Sequence, residues 1–463
     1  MSSQLPKTLL ASLQTVKGFD EATFVKLHES GKQITSIRQN PNKAFNYQLS
    51  IVNSSLAKVP WSSHGYYLPE RPSFTSDPLF HAGAYYVQEA SSMFLEEAIR
   101  QSCDLSQPLR VLDLCAAPGG KSTLIQSIIS ENSLLVSNEV IKTRVTILAE
   151  NISKWGAANV VVTNNDPKDF QRLQYYFDLI VVDAPCSGSG LFRKDPEAIT
   201  EWSLNNVELC SQRQERILAD ILPALKPGGI LIYSTCSYSQ AEDEKIADWL
   251  ISNHPVSSIQ YHLKKDWGII ETNSPVHNAF GYRFYPDKLK GEGFFIAAFK
   301  KQASEAVDIK KQSFNKTNHK PQLLSKTALE KMRPYFSNMD ELSLIKWQEE
   351  VLAIPSSMLD DVFLLQSVLY LKKAGVKIGS MIRDELIPDH EFALSLLVAD
   401  TIPSIDVDKE TALQYLRRQD IRIETQLKGW TLIKFQQTTL GWIKILPNRI
   451  NNYYPKGWRI LNK

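Results

Sequence analysis

Residues 109–121 read Leu-Arg-Val-Leu-Asp-Leu-Cys-Ala-Ala-Pro-Gly-Gly-Lys, an apolar run that passes without a break into a turn of small residues. A helical pattern follows over 121–130. Such a turn between strand and helix lets a ligand approach the backbone closely, and the helix start favours negative charge. Two nucleotide-binding arrangements share this outline. A Walker P-loop needs glycine five positions before the Gly-Lys-Ser of 120–122, but position 115 is cysteine. The other is a Rossmann-like nucleoside site, whose mark is an acid closing the second strand about 20 residues on, where it grips ribose hydroxyls. Glu139 closes the run 134–138 (LLVSN), 19 residues after Gly120. The third strand ends in Asn164-Asn165-Asp166, placing an acid for an adenine edge, and the fourth ends in Asp183. A lone acid after a strand is usually a helix cap. Acids at four successive strand ends beside a glycine loop point to a ligand site.

Around this loop the apolar runs 109–114, 134–138, 159–164, 178–183 and 229–234 alternate with helical patterns at 121–130, 140–155 and about 203–226. Continuous apolar strands between helices predict a parallel sheet covered on both faces, a doubly wound α/β domain over 89–300. The run 293–299 (GFFIAAF) is expected to add an edge strand. Ahead of the domain, residues 1–88 form a separate region. Its start is helical, with Leu9, Leu10, Leu13 and Val16 on one face and Phe24, Val25 and Leu27 after a break at Gly18. A strand at 34–43 runs into the Asn40-Pro41 turn, and 60–87 reads as irregular connecting structure. Residues 301–325 read as a polar linker. The remaining 326–463 ends in a basic, β-rich module. There, over 421–463, Arg422, Lys428, Lys434, Lys444, Arg449, Lys456, Arg459 and Lys463 face one acid, Glu424, and interleave with Trp430, Phe435, Trp442, Tyr453, Tyr454 and Trp458. Aromatics beside cations suit either a small core with a solvated face or a nucleic-acid surface.

The chain has 463 residues, 43% hydrophobic and 22% charged, with a net charge of +2. That balance allows two or three domains with real cores and excludes a histone-like tail. No signal-like start and no apolar run near bilayer length is present, which predicts a cytoplasmic protein without membrane segments. Five scattered cysteines (Cys103, Cys115, Cys186, Cys210, Cys236) without a CxxC pair suit a reducing compartment and give no support for zinc. Cys103 and Cys210 read as buried apolar side chains.

Two cysteines stand apart. The fourth strand continues Asp183-Ala-Pro-Cys186-Ser-Gly and the fifth Ser234-Thr-Cys236-Ser, 50 residues apart yet brought to one cleft by adjacent strand ends. The chemistry that needs a thiolate there is attack on a pyrimidine. Carbon 5 of cytosine is too poor a nucleophile to take a methyl group unaided. A thiolate added to carbon 6 makes carbon 5 enamine-like, and an acid near N3 steadies the charge that develops. After transfer the carbon-5 proton must leave so that the cysteine is expelled.

Cys115-Ala-Ala-Pro-Gly-Gly-Lys121, Asp183-Ala-Pro-Cys-Ser-Gly188 and Ser234-Thr-Cys-Ser237, in this order, resemble the Nol/Nop/Sun family of S-adenosylmethionine-dependent RNA cytosine-5 methyltransferases. Ser36-Ile-Arg-Gln-Asn-Pro-Asn-Lys43 and Gly293-Phe-Phe295 extend the likeness over about 30–300. The stretches 191–199 and 202–210 resemble its bacterial branch, which modifies ribosomal RNA. Gly441-Trp-Ile-Lys and Tyr454-Pro-Lys-Gly-Trp-Arg459 resemble that branch's PUA-like RNA-binding extension. The resemblance implies a Rossmann-like class I methyltransferase domain between a small N-terminal RNA-binding region and this module. It implies that Cys115, Ala116, Ala117, Pro118, Gly119, Gly120, Lys121, Glu139, Arg144, Asp166 and Asp183 hold S-adenosylmethionine. It makes Cys236 the nucleophile, Cys186 the thiol that assists release, and Asp183 a third catalytic group. In DNA cytosine-5 methyltransferases the Pro-Cys cysteine, here Cys186, is the nucleophile, so the second cysteine in Thr-Cys-Ser assigns the RNA type.

Lys121 is expected to orient the site acids, and Lys194 is either a solvated charge or a phosphate contact. His64 and His81 carry no partner pattern. The expected partner is ribosomal RNA or the small ribosomal subunit, in single-stranded or junctional form because the base must leave its stack. The protein is expected to act as a monomer. A transfer-RNA substrate and a non-catalytic ribosome-assembly role are the alternatives.

Overall fold

The computed structural model describes residues 5–43, 56–303, 322–347, 349–382 and 385–461, so most of the expected linker, 304–321, and Lys463 lie outside the described residues. The N-terminal helices run Lys7–Leu13 and Glu21–Glu29. Strand β1 (Thr35–Gln39) then lies antiparallel between β2 (Gly65–Leu68) and β3 (Tyr85–Val87). The stretch 60–87 is therefore not irregular throughout. Its Tyr-rich ends favour strand, and the Pro- and Gly-containing stretch between them makes the connection. Buried Arg38 ties this small sheet to the helix Gly120–Ile128, donating to Gln88 Oε1 (2.8 Å), Thr123 Oγ1 (2.6 Å) and Gly120 O (3.2 Å). Asn40 Nδ2 donates to the carbonyls of Gly83 and Trp155, both 3.0 Å away, fastening the sheet to the end of the helix Lys142–Trp155.

Strands β4 (Arg110–Asp113), β5 (Leu134–Asn138), β6 (Val160–Thr163), β7 (Phe177–Asp183) and β8 (Leu225–Thr235) are parallel, in the order β6-β5-β4-β7-β8. The chain winds outward from β4 to β6, then returns beside β4 and winds the other way. That reversal opens a crevice at the carboxyl ends of the strands. Their apolar runs are continuous because both faces are covered. Leu112, Val161, Ile180 and Tyr233 enter one core, and Val111, Val162, Val181 and Ile232 the other.

The doubly wound expectation holds for these five strands, but the sheet is mixed and extends beyond them. After β8 come β9 (Val256–Ile259), β10 (Ile270–Asn273), β11 (Phe280–Phe284) and β12 (Phe294–Lys301). Strand β12 is not at the edge; it runs antiparallel between β8 and β11. Phe294 to Phe299 are all buried, so both faces of this strand are covered.

The opposite edge is closed by the C-terminal region. Strands β13 (Gln322–Leu323), β14 (Leu342–Trp347), β15 (Glu350–Pro355), β16 (Leu371–Ala374), β17 (Val376–Ile382) and β18 (Glu385–Pro388) follow. All but β16 form one antiparallel sheet, while β16 pairs antiparallel with β6. Among the described residues the central sheet thus has ten strands.

The last sheet comprises β19 (Ser404–Asp406), β20 (Gly429–Phe435), β21 (Thr438–Leu446) and β22 (Arg449–Asn452). Its aromatics divide: Trp442, Phe435 and Tyr454 are buried, while Tyr453 is exposed. Trp430 stacks edge-on to Tyr453 at 4.4 Å and carries Lys444 Nζ over its ring at 5.1 Å. Arg422, Lys428, Arg449, Lys456 and Arg459 are exposed. No helix among the described residues is long and apolar enough to cross a membrane.

One buried ion cluster joins fold to site. Arg283, 1% exposed, bonds Glu244 (Nη2 to Oε2, 2.5 Å), lies 3.0 Å from Asp243 Oδ2 and donates to the carbonyl of Tyr238, two residues past Cys236. Arg283→Met leaves two buried carboxylates without their cation. We expect a loss of about 3–5 kcal/mol in urea unfolding, and a loss below about 1 kcal/mol would contradict the assignment.

Candidate active site

The loop after β4 is held from below and from the side. Leu114 N donates to Val181 O (3.0 Å) and Ala116 N to Asn138 O (2.8 Å), so the turn is laced to both neighbouring strands. Gly119 caps the helix at φ +117, a left-handed conformation that disfavours any side chain. Glu139, 3% exposed, accepts from Ile141 N at Oε1 (2.9 Å). Arg144 reaches back from the next helix to Glu139 Oε2 (3.5 Å) and to Ala117 O (2.7 Å). The structure therefore brings residues 115–121, Glu139 and Arg144 together. Asp166 stands at the next strand end and caps the turn Pro167–Arg172 through Lys168 N (3.2 Å).

Asp183 faces the same crevice from the end of β7. Its Oδ2 pairs with Lys121 Nζ at 2.7 Å and its Oδ1 accepts from Ser234 Oγ at 2.8 Å. Lys121, the loop's last residue, is thus paired with a strand-end acid. Burial opposes the Lys121 charge, but Asp183 and Asp113 more than offset it and raise its pKa. Lys194 is exposed, and His81 is buried with its Nε2 3.0 Å from Thr75 O, an ordinary packing role.

Cys186 and Cys236, half-buried, stand with their sulfurs 2.9 Å apart. Adjacent parallel strands deliver them: Asp183 pairs with Ser234 at the end of the β7–β8 ladder, and each cysteine follows within three residues. The approach needs Gly190, whose amide donates to Cys236 O at 2.8 Å; a Cβ there would lie 2.7 Å from that oxygen. The bond to Cys236, together with burial, holds the Cys186 thiol well above its ordinary range. Burial likewise raises Cys103 to about 12 and Cys115 further, so these thiols keep their protons. The pair therefore has one member held as a thiol, able to carry a proton, with the second sulfur in contact with it.

Sequence reasoning counted Asp113 among the strand-end acids without giving it a role, and passed over Asn138. Asn138 is buried, donating to Leu114 O (3.1 Å) and Asn165 O (3.0 Å) and accepting from Thr163 Oγ1 (2.8 Å), so it joins the loops after β4 and β6. Asp113, wholly buried, accepts from Ser122 Oγ (2.7 Å). Burial raises its pKa to about 7. A buried acid raised in this way holds its proton in the folded state when the unfolded chain has released it, so its contribution to stability falls as pH rises from about 4 to 7. Between pH 5 and 8 the ligand-free protein should lose about 2–3 kcal/mol more than Asp113→Asn does, measured by urea unfolding. Parallel pH curves for the two proteins would contradict this.

A Rossmann-like sheet with a glycine loop and strand-end acids at its crevice is the architecture of a class I methyltransferase. Comparison with known proteins gives the branch. Three family profiles match in chain order: the N-terminal domain of 16S rRNA methyltransferase RsmF at 5–90, 16S rRNA methyltransferase RsmB/F at 103–300, and the methyltransferase RsmF PUA domain at 402–460. The chain resembles the RsmF proteins along most of its length. It is 29% identical to ribosomal RNA small subunit methyltransferase F of Aeromonas salmonicida, over 91% of this chain and 90% of that protein. With the namesake of Shewanella loihica it shares 28% over 86% and 82%. Among solved structures, a methyltransferase homologue from Pyrococcus horikoshii superposes with TM-score 0.50 at 28% identity, covering 64% of this chain and all of that one. NSun6 of the same organism, at 20% identity and TM-score 0.53 over 66% of this chain and all of its own, shares the fold.

Proposed function

We propose that this methyltransferase moves a methyl group from S-adenosylmethionine to carbon 5 of a cytosine in small-subunit ribosomal RNA, through a covalent bond between Cys236 and carbon 6. The observation that carries the reading is the pair of sulfurs 2.9 Å apart beside Asp183, in a chain whose relatives are small-subunit rRNA methyltransferases. The residues of the crevice fit the cofactor. Buried Glu139 suits ribose hydroxyls, Asp166 suits the adenine edge, and the turn 115–121 with Lys121 and Asp183 offers both charges to an amino-acid end. When bound, S-adenosylmethionine supplies an electrophilic methyl group.

The protein's own groups do the rest. The Cys236 thiolate adds to carbon 6, and the electron pair of the 5,6 double bond becomes available at carbon 5. Asp183, with Lys121 Nζ 2.7 Å behind it as a proton source, steadies the charge reaching N3. After transfer, Cys186 passes its proton to the departing Cys236 sulfur and, as the thiolate so formed, takes the carbon-5 proton; the electron pair of that C–H bond re-forms the 5,6 double bond as the Cys236–carbon 6 bond breaks. The half-exposed aromatics and exposed cations of the PUA domain suit single-stranded RNA. The test is tritiated methyl transfer to unmethylated 16S rRNA and to 30S subunits, followed by nucleoside analysis. Label in 5-methylcytidine is expected; label in transfer RNA alone, or none, would overturn the substrate.

A further inference from the structure

The two thiols sit on separate loops, and a reaction at neighbouring ring carbons needs those loops in register. We infer that Glu242 is the positioning residue that locks the two cysteine-bearing loops together. The inference rests on the reading of Cys236 and Cys186 as the reacting pair. Glu242, wholly buried, lies six residues past Cys236 in the turn leading to the helix Glu244–Asn253. Its Oε1 accepts from Ser187 N (2.7 Å), and its Oε2 accepts from both Ser187 Oγ and Ser237 Oγ, each 2.6 Å away. Gln214 Nε2 donates to Oε1 (3.4 Å) and to Pro185 O (3.1 Å). The residues after Cys186 and Cys236 thus meet on one carboxylate, and Gln214 links it to Pro185, the residue before Cys186.

The rest of the turn is fixed as well. Tyr233 OH donates to Glu242 O (2.7 Å), Ser237 N to Thr235 Oγ1 (3.2 Å) and Ser239 N to Ser237 Oγ (3.0 Å). Arg283 is engaged by the next two acids, Asp243 and Glu244, so the donors that meet Glu242 are neutral. A buried carboxylate met only by neutral donors is costly beside apolar packing. What it gives in return is acceptor capacity at two oxygens, enough to tie several donors from two loops at one point. Burial raises the Glu242 pKa, and its charge in turn favours the protonated form of Cys186.

Glu242→Ala removes all four bonds at the carboxylate, whereas Glu242→Gln keeps the shape, and the serine hydroxyls can turn to accept from its amide. We expect Glu242→Ala to lower kcat for methyl transfer about 10²-fold, with KM for RNA and the Kd for S-adenosylhomocysteine unchanged within about twofold. Glu242→Gln should stay within about tenfold of the parent. Should Glu242→Ala not fold, the double variant Ser187→Ala/Ser237→Ala removes both hydroxyl bonds at the carboxylate and should lower kcat by about tenfold or more. Three results would each overturn the inference: kcat retained on losing these bonds, an equal loss in the alanine and glutamine variants, or a matching loss of S-adenosylhomocysteine affinity. A parent protein that forms no RNA adduct and transfers no methyl group marks the failure of the cysteine reading, a result separate from these.

Discussion

Cys186→Ala is expected to halt the reaction at a covalent protein–RNA adduct, seen as a retarded band on a denaturing gel. Cys236→Ala forms no such band and loses about 10⁴-fold or more in turnover. The asymmetry follows from the order of events. Cys236 must bond to carbon 6 before carbon 5 can take a methyl group, so without it nothing starts. Cys186 touches the Cys236 sulfur at 2.9 Å and is held in its protonated form, which suits a group that acts when that sulfur departs. Its loss leaves addition and transfer intact and blocks release. An adduct that requires Cys186 and survives loss of Cys236 would reverse the assignment towards the DNA-type order.

Asp183→Asn is expected to lower kcat by about 10³-fold, an increase of about 4 kcal/mol in the barrier. The amide cannot balance Lys121, which is only 15% exposed and would keep an uncompensated charge, and it cannot relay a proton from Lys121 to N3. Steady-state methyl transfer should show the loss mainly in kcat, with adduct formation slowed to match in a Cys186→Ala background. Activity within tenfold of the parent would remove Asp183 from the chemistry and leave it a support for Lys121.

What the sequence disclosed depended on whether a residue's neighbours lie nearby in the chain or are set by a repeating rule. Strands β4 to β8 were legible because burial on both faces leaves no polar position to interrupt the run. The acids Glu139 and Asp183 were legible because the carboxyl ends of such strands face one crevice, whereas Arg144 was marked only by the family resemblance. The meeting of Cys186 and Cys236, 50 residues apart, followed from adjacent strand ends alone. Strand β16 was not legible. It reads Leu-Lys-Lys-Ala and lies about 70 residues past β12, so neither apolarity nor position marks it as the partner of β6. Strand β12 was found but placed at the edge, since sequence shows that a run is apolar and not what covers its two sides. Glu242 carried no sign in the sequence. An acid at the start of a helix usually reads as a solvated residue near the positive end of the dipole, and only the fold shows four donors closing on it.

The central claim, a bond between Cys236 and the target pyrimidine, is tested most directly by peptide mass spectrometry. The Cys186→Ala protein would be incubated with unmethylated small-subunit rRNA and S-adenosylmethionine, then digested with nuclease and protease. We expect a cytidine nucleotide, heavier by one methyl group, attached to the peptide that contains Cys236. A nucleotide attached at any other residue, or 5-methylcytidine produced by Cys236→Ala, would contradict it.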